Sequence, residues 1–479
     1  MRSEARFGPE LPLPYDPDTQ GVVLLGTLEG EGKKLPVRVA CASGISLFVG
    51  FPQDAPPADQ SVFTRLLLQL PEAKVELSRC RFHAERDLAG LAGRLVFLDD
   101  VYDCRSLLEG KLVNVRTFLQ NVPLVLTQKD GIRPEFREYT ANVLYDLSIY
   151  KRFFDAQDRR IADEPEHVAL AAERSLLLAE GQGFFRDLDT KLARLDALVK
   201  DYAPEEHARH GFYLRCLAWD FILGAPIFRR TNLKPRGYAG DAEMMVMLYE
   251  NAYRGDTLFQ KLLHKHAVET QAAQAVRSRR LLVAAAVREA SARSLSRGEA
   301  RFRFGSLAAG PAWELDEIFQ DEDDCGRLQC LLLDQDPHAL ALARETALRI
   351  ERRLGRTLDV SYLDESVRTM VRKPHAAERL GRFHFLYSMG LFDYLTPLVA
   401  AAVLRRAYEL LLPGGTLLVG NFHLGNPNRN YMAYWLDWVL CHRTEPALLQ
   451  LAAGLPGART SLSFDSTRCQ MFLRVDREA

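Results

Sequence analysis

The sequence lacks several features that would announce a function outright. Its eight cysteines, at 41, 80, 104, 216, 325, 330, 441 and 469, form no CxxC pair and follow no regular spacing. That excludes a disulfide framework, and they read as buried or free thiols in a reducing compartment. Charge of one sign is missing too, because 62 Lys plus Arg face 63 Asp plus Glu. A near-neutral chain carries no general basic field against phosphates, so no nucleic-acid partner is expected. The longest apolar runs are Leu281 to Val287 and Pro397 to Leu412, the second interrupted by Arg405 and Arg406. Both fall short of the about 20 residues that a membrane-spanning helix needs. Met1 to Asp18 is proline-rich and mixed in charge, without the apolar run of a secretory signal. A cytoplasmic location is expected.

What is present divides into three regions, expected at 1–135, 136–297 and 298–479. Up to Leu126 the runs Gly21-Val-Val-Leu-Leu-Gly, Leu35-Pro-Val-Arg-Val-Ala, Ile45 to Phe51 and Gly93 to Leu98 are β-rich and bounded by glycine and proline. This is the pattern of a small barrel or sandwich. From Arg137 to Arg293 apolar residues recur at three and four, which predicts helices, among them one starting at Pro204 and a long one over 260–293. From Arg301 strands alternate with helices. Candidates are Phe302 to Leu307, Leu328 to Leu333, Leu358 to Leu363, Phe383 to Ser388 and Gly415 to Gly420, with a late hairpin strand Cys469 to Val475. Such alternation predicts an α/β domain, a mostly parallel sheet covered on both faces. Ligands of such sheets bind beyond the carboxyl ends of the strands.

The candidate motifs lie at those ends. Ser306-Leu-Ala-Ala-Gly-Pro-Ala-Trp-Glu314 follows the first strand, and its small residues let the backbone turn tightly and approach a ligand. The helix start after it offers free N–H groups to an anion. Leu333-Asp-Gln-Asp-Pro337 ends the second strand; Asp334 is placed for ribose hydroxyls, while Asp336 before Pro337 reads as a helix cap. This pair predicts a nucleotide-type ligand without choosing between methyl and hydride transfer. Tyr387 to Leu395 and the Leu412-Pro-Gly-Gly415 turn follow the pattern of a class I methyltransferase, a Rossmann-like domain. Asp321 to Asp324 reads as a solvated loop, and His264 and His266 lie on different helix faces, so no metal is expected. Arg277, Arg279 and Arg280 suit structural ion pairs and substrate binding equally.

Lys234-Pro-Arg-Gly-Tyr-Ala-Gly-Asp241 with Glu243-Met-Met, Ala275 to Arg280, Ser306 to Glu314, Tyr387 to Leu395, and Asn421 to Tyr431 with Leu436-Asp-Trp438 form a set. Over about residues 140–479 the chain resembles the bacterial extracellular factor 3-hydroxypalmitic acid methyl ester biosynthesis proteins. The resemblance implies an S-adenosyl-L-methionine-dependent methyltransferase that O-methylates a carboxylate, such as a hydroxy fatty acid, to make a methyl-ester signal for quorum sensing. Cofactor contacts are then expected at Ser306, Ala308, Gly310, Glu314, Asp334, Asp364, Ser388 and Gly390. Alanines at 308 and 312, where many class I enzymes have glycines, set the loop slightly farther from the cofactor.

The segment 236–241 reads as a lid, with Tyr238 and Asp241 near the transferring methyl and Arg236 on an anionic substrate. The alternative is a glycine-rich turn with Asp241 as a helix cap. For a carboxylate acceptor, Arg236, Arg429 and His423 are expected as anchors, and Phe392, Tyr394, Tyr431 and Trp435 as channel lining. The N-terminal region is faintly similar to PilZ-type barrels, whose usual ligand is cyclic di-GMP; Arg38 and Cys41 to Ile45 echo their motif without its paired arginines. Dimerisation or docking is the expected role of that region. A signalling or scaffolding protein that binds cofactor without turnover, and a methyltransferase acting on another small metabolite or a protein, remain the alternatives.

Overall fold

The computed structural model describes residues 24–30, 33–41, 46–51, 56–69, 74–84, 92–99, 102, 128–367, 369 and 380–478. They fall into two compact units, Met1–Gly131 and Ile132–Ala479.

The first unit is an antiparallel sheet of β1 (Leu24–Gly30), β2 (Lys33–Cys41), β3 (Ser46–Gly50), β4 (Val62–Phe63), β5 (Arg65–Gln69), β6 (Lys74–Leu77), β7 (Cys80–Ala84) and β8 (Gly93–Phe97). Its order is β4-β7-β8-β3-β2-β1-β5-β6. Side chains alternate across the pleat, so Val37 and Val39 are buried beside exposed Arg38, and Leu66, Leu68, Phe82 and Leu95 join the same core. β4 and β5 are separated by Thr64 alone, whose N–H donates to the Glu29 carbonyl at 2.7 Å. The run 62–69 therefore pairs with β7 at one end and with β1 along the rest. Residues 42–45, which hold most of the PilZ-like echo, lie outside the described residues.

The second unit opens with α1 (Pro134–Ala162), α2 (Glu166–Val199), α3 (Pro204–Ile222), α4 (Pro226–Leu233), α5 (Ala242–Glu250), α6 (Leu258–Glu269) and α7 (Gln271–Ser296). The helix expected over 260–293 is two helices. Thr270 separates them, with extended φ/ψ of −55° and 158°, and its hydroxyl accepts from the Ala273 N–H to cap α7. No helix among the described residues is long and apolar enough to cross a membrane.

A seven-stranded mixed sheet follows: β9 (Phe302–Leu307), β10 (Leu328–Asp334), β11 (Asp359–Asp364), β12 (Phe383–Ser388), β13 (Leu411–Phe422), β14 (Ala458–Phe464) and β15 (Gln470–Arg477). The order is β11-β10-β9-β12-β13-β15-β14, parallel through the first five and antiparallel at β15. The chain moves outward from β9 to β11, then resumes on the other side with β12. That reversal opens a crevice at the carboxyl ends of β9 and β12.

Residues 136–297 and 298–479 share one packing. Tyr431, Tyr434, Trp435 and Trp438 from the sheet half lie in the same apolar cluster as Phe136, Leu195, Phe228 and Val276 from the helices. Burial of that many rings is a large driving force, about 1.5–3 kcal/mol for each fully buried large apolar side chain.

Candidate active site

A cavity of about 440 Å³ fills the crevice. Its floor is the loop after β9. Ala308, Gly310 and Ala312 take φ of 58°, 57° and 51°, so the loop turns through the left-handed region three times in five residues. Only glycine does this without cost, which makes the two alanines a local strain held by their surroundings. A Cβ on Gly310 would meet nothing within 4 Å. Asp334, at the end of β10, accepts from the Gly310 N–H at 2.9 Å and from the Asp336 N–H at 3.0 Å. A carboxylate has about four acceptor directions, so it can accept further bonds. Burial raises the Asp334 carboxyl, and the backbone N–H groups of Gly310, Asp336 and Gln335 oppose that shift.

The expected cofactor residues divide by position. Ala308, Gly310, Asp334 and Gly390 line the cavity. Ser306 is buried, with its hydroxyl on Tyr387, and does not line the cavity. Ser388 donates its hydroxyl to the Leu307 carbonyl at 2.8 Å, and Glu314 is buried against Tyr387, whose hydroxyl donates to it at 2.8 Å. These three hold the wall instead of forming it. Asp364 is exposed on β11, and the cavity is lined by the next residue, Glu365, together with Val367. Strand alternation accounts for the difference, since one residue along the chain changes face.

The 234–241 segment roofs the cavity through Arg236, Gly237, Tyr238 and Gly240. It is fastened at both ends. Lys234 is ion-paired with Asp437, which also takes Arg215 at 2.8 Å. At the other end Arg230 donates to both oxygens of Asp241, at 2.9 and 2.8 Å. Asp241 also accepts from the Met244 N–H and caps α5, so its carboxylate is taken before it could reach the cavity. Arg236 stands 3.6 Å from Asp336. Burial, with Asp334, Asp336 and Asp241 adding to it, pushes the Tyr238 hydroxyl far above its ordinary value, so Tyr238 stays protonated and offers a hydrogen bond, not a base.

Of the expected acceptor residues, Arg236 and Tyr394 line the cavity and the others do not. His423 bonds Glu445 at 3.2 Å, and Arg429 reaches the Leu424 carbonyl at 3.5 Å. Tyr431 is buried against His266 at 3.1 Å, while Phe392 and Trp435 are fully buried in core clusters. Tyr431 and Trp435 lie on or just after the short helix Arg429–Tyr434, whose apolar face turns toward α1 and α3.

Several lining residues fall inside the sequence motifs without being legible there as cavity wall. Arg279 of α7 is 5% exposed; it donates to the Met389 carbonyl at 3.1 Å and meets the Met245 sulfur at 3.4 Å, and its Nε has no partner among the described residues. Asp393 is 2% exposed and accepts from the Phe422 N–H at 2.7 Å. Burial pushes its carboxyl up to about 7, against that N–H and the cations of Arg279 and Arg443. Trp438 donates to the Tyr394 hydroxyl at 2.7 Å, and Met245, Tyr249, Phe422 and Leu440 complete that end. Trp438 belongs to the Leu436-Asp-Trp438 motif, and the turn at Asp437, with φ of 47°, carries it and Leu440 to the cavity.

Comparison with protein-family models finds no match, and no curated protein matches the chain. Solved structures resemble it in part. A protein of Bordetella parapertussis described as a possible exported protein is 16% identical, over 63% of this chain and 96% of that one, with a TM-score of 0.38. An O-methyltransferase family protein from Burkholderia thailandensis is 14% identical, over 75% and 98%, with a TM-score of 0.36. Magnesium protoporphyrin IX methyltransferase from Synechocystis PCC 6803, solved with SAH bound, is 10% identical, over 43% and 87%, with a TM-score of 0.32. Scores this low add no argument, and the architecture rests on the strand order and the loop after β9.

Proposed function

We propose that this chain is an S-adenosyl-L-methionine-dependent methyltransferase acting on a small-molecule acceptor. The observation that carries the reading is the Gly310–Asp334 contact beneath the cavity: a left-handed loop and an acid meet at the switch point of a 3-2-1-4-5-7-6 sheet. Its antiparallel strand β15 is the late hairpin strand that the sequence pattern predicts. The residues present fit the cofactor. The open side of Gly310 leaves room for close backbone approach, and the volume lies within the about 300–1,000 Å³ usual for small-molecule sites.

Asp334 would accept from ribose hydroxyls, and Val367 and Leu391 would flank the base. Arg279, buried and without a carboxylate bonded to it, would take the methionine carboxylate, since a buried guanidinium is costly until an anion meets it. When bound, the cofactor supplies an electrophilic methyl on a sulfonium. The chain's own work is alignment and exclusion of water. Tyr238 and Gly240 roof the site, and Lys234 and Asp241 fasten the roof, which makes the 236–241 segment a fixed cover.

The resemblance implies a hydroxy fatty acid carboxylate as acceptor. Its expected anchors are engaged elsewhere, Arg236 with Asp336 and His423 with Glu445, so the acceptor is left here as a small molecule. The N-terminal unit is proposed as a small β-barrel for docking or dimerisation; the double pairing of the run 62–69 supports closure.

The test is transfer of label from methyl-labelled donor into the small-molecule fraction of a cell extract. Labelled product is expected with the full chain. A folded chain that transfers none contradicts the reading.

A further inference from the structure

The acceptor end of the cavity has a composition of its own. Two cations line the whole cavity, Arg236 and Arg279. Arg236 faces Asp336 beyond the end of β10, and Arg279 sits at the Met389 carbonyl after β12. The remaining wall, from the roof segment to the 438–440 turn, is Tyr238, Tyr394, Trp438, Phe422, Leu440 and Asp393. The Tyr238 and Tyr394 rings meet edge to face with centroids 6.4 Å apart, and Trp438 fixes the Tyr394 hydroxyl.

A carboxylate entering this end would bring a second negative group beside the buried Asp393; of the lining cations among the described residues, Arg236 faces Asp336 and Arg279 is the one proposed for the methionine carboxylate. Like charges in a buried site do not ionise together. Ring faces and a carboxyl favour the opposite kind of guest, one neutral or positively charged.

Asp393 is the acid in question. One carboxyl oxygen accepts from the Phe422 N–H; no other side-chain bond to it forms among the described residues. Arg443 is engaged with the Phe392 and Leu395 carbonyls and with Asn421, and among the described residues the Asp393 carboxyl has no ion-pair partner. We propose that the acceptor is a nucleophile that carries a proton, an amine or a hydroxyl, and that Asp393 receives that proton during methyl transfer.

The lone pair of the acceptor atom forms the bond to the methyl carbon. The carbon–sulfur bond breaks with its pair going to sulfur, and the acceptor's proton passes to the Asp393 carboxylate and then to water. Tyr238 cannot serve in that place because its hydroxyl stays protonated. The inference rests on the methyltransferase reading and narrows its substrate.

The experiment combines two readouts on the full chain. Product labelled from methyl-labelled donor and cell extract is treated with alkali, which releases volatile methanol from a carboxyl methyl ester but not from a methylated amine or an ether. Label that stays involatile is expected. In parallel Asp393→Asn keeps an acceptor for the Phe422 N–H and removes the base. Turnover is expected to fall at least about 100-fold, the lower range for general-base catalysis, with donor affinity unchanged. An effect on packing alone would be largely rescued by asparagine. Volatile label, unchanged turnover in D393N, or donor binding without any labelled product each overturns the inference. The alkali readout uses the unaltered chain and stands even where D393N folds poorly. A chain that binds no donor fails the methyltransferase reading instead, and the acceptor inference falls with it.

Discussion

The Tyr387 hydroxyl donates to Oε1 of Glu314 at 2.8 Å, joining the centre of β12 to the turn that follows the cavity floor. Both groups are buried. The bond fixes where the 308–312 loop ends, so it positions the floor without touching the cavity. Burial pushes the Glu314 carboxyl up to about 7, against the Tyr387 bond and the cations of Arg279 and Arg280.

That shift predicts a pH dependence of stability. The folded-state pKa lies above the ordinary value of 4.5, so the folded chain keeps a proton that the unfolded chain has lost. Stability from this group is whole below about 4.5 and is lost as pH rises through about 7. Glu314→Gln keeps the acceptor for Tyr387 and removes the titration. Thermal melts should show the variant gaining on the parent between pH 5 and pH 8, by an amount on the order of 3 kcal/mol. Equal differences at both values contradict this.

Gly240 is predicted to tolerate no side chain. A Cβ there would lie 2.1 Å from the Tyr394 hydroxyl and 3.3 Å from Trp438 Nε1. Gly240→Ala should displace Tyr394 from Trp438 and lower turnover by roughly 100-fold, the effect of misplacing a wall by about 1 Å. Donor affinity should change little, and steady-state kinetics beside donor titration check both.

Two tryptophans three residues apart should behave oppositely. Trp435 is fully buried in the helical core, whereas Trp438 borders the cavity. Trp435→Ala should cost about 3–5 kcal/mol in denaturant unfolding. Trp438→Ala should cost less and lose turnover instead, because the Tyr394 hydroxyl loses its donor.

These contrasts show where the sequence was legible. Glycine, proline and aspartate announce backbone geometry, so the loop at 308–312 and the ends of β10 and β12 were placed from their spelling alone. The strands β4 to β7 are not, because each has five residues or fewer, and Lys74-Val-Glu-Leu77 puts charge on alternate positions. Thr270 divides a helix that apolar periodicity alone runs together. Arg279 and Asp393 lie inside motifs read from the sequence, Ala275 to Arg280 and Tyr387 to Leu395, but their place in the cavity wall is not legible there. Each is an ordinary charged residue on its own element, and only the packing of α7 and of the Phe422 strand end brings it to the cavity.

Asp334→Ala should weaken donor binding by roughly 10- to 100-fold, as expected when a bond to a charged group is removed and buried N–H groups lose their acceptor. The Gly310 and Asp336 N–H groups are those left without it. Titration of the variant against the parent reads this directly.

The most direct measurement is calorimetry of the full chain with S-adenosyl-L-methionine. One molecule should bind per chain, with a Kd of about 1 μM to 1 mM, the span usual for enzyme ligands. Arg279→Leu should abolish the heat while circular dichroism stays unchanged. No heat from a folded parent chain, or full affinity in R279L, contradicts the account.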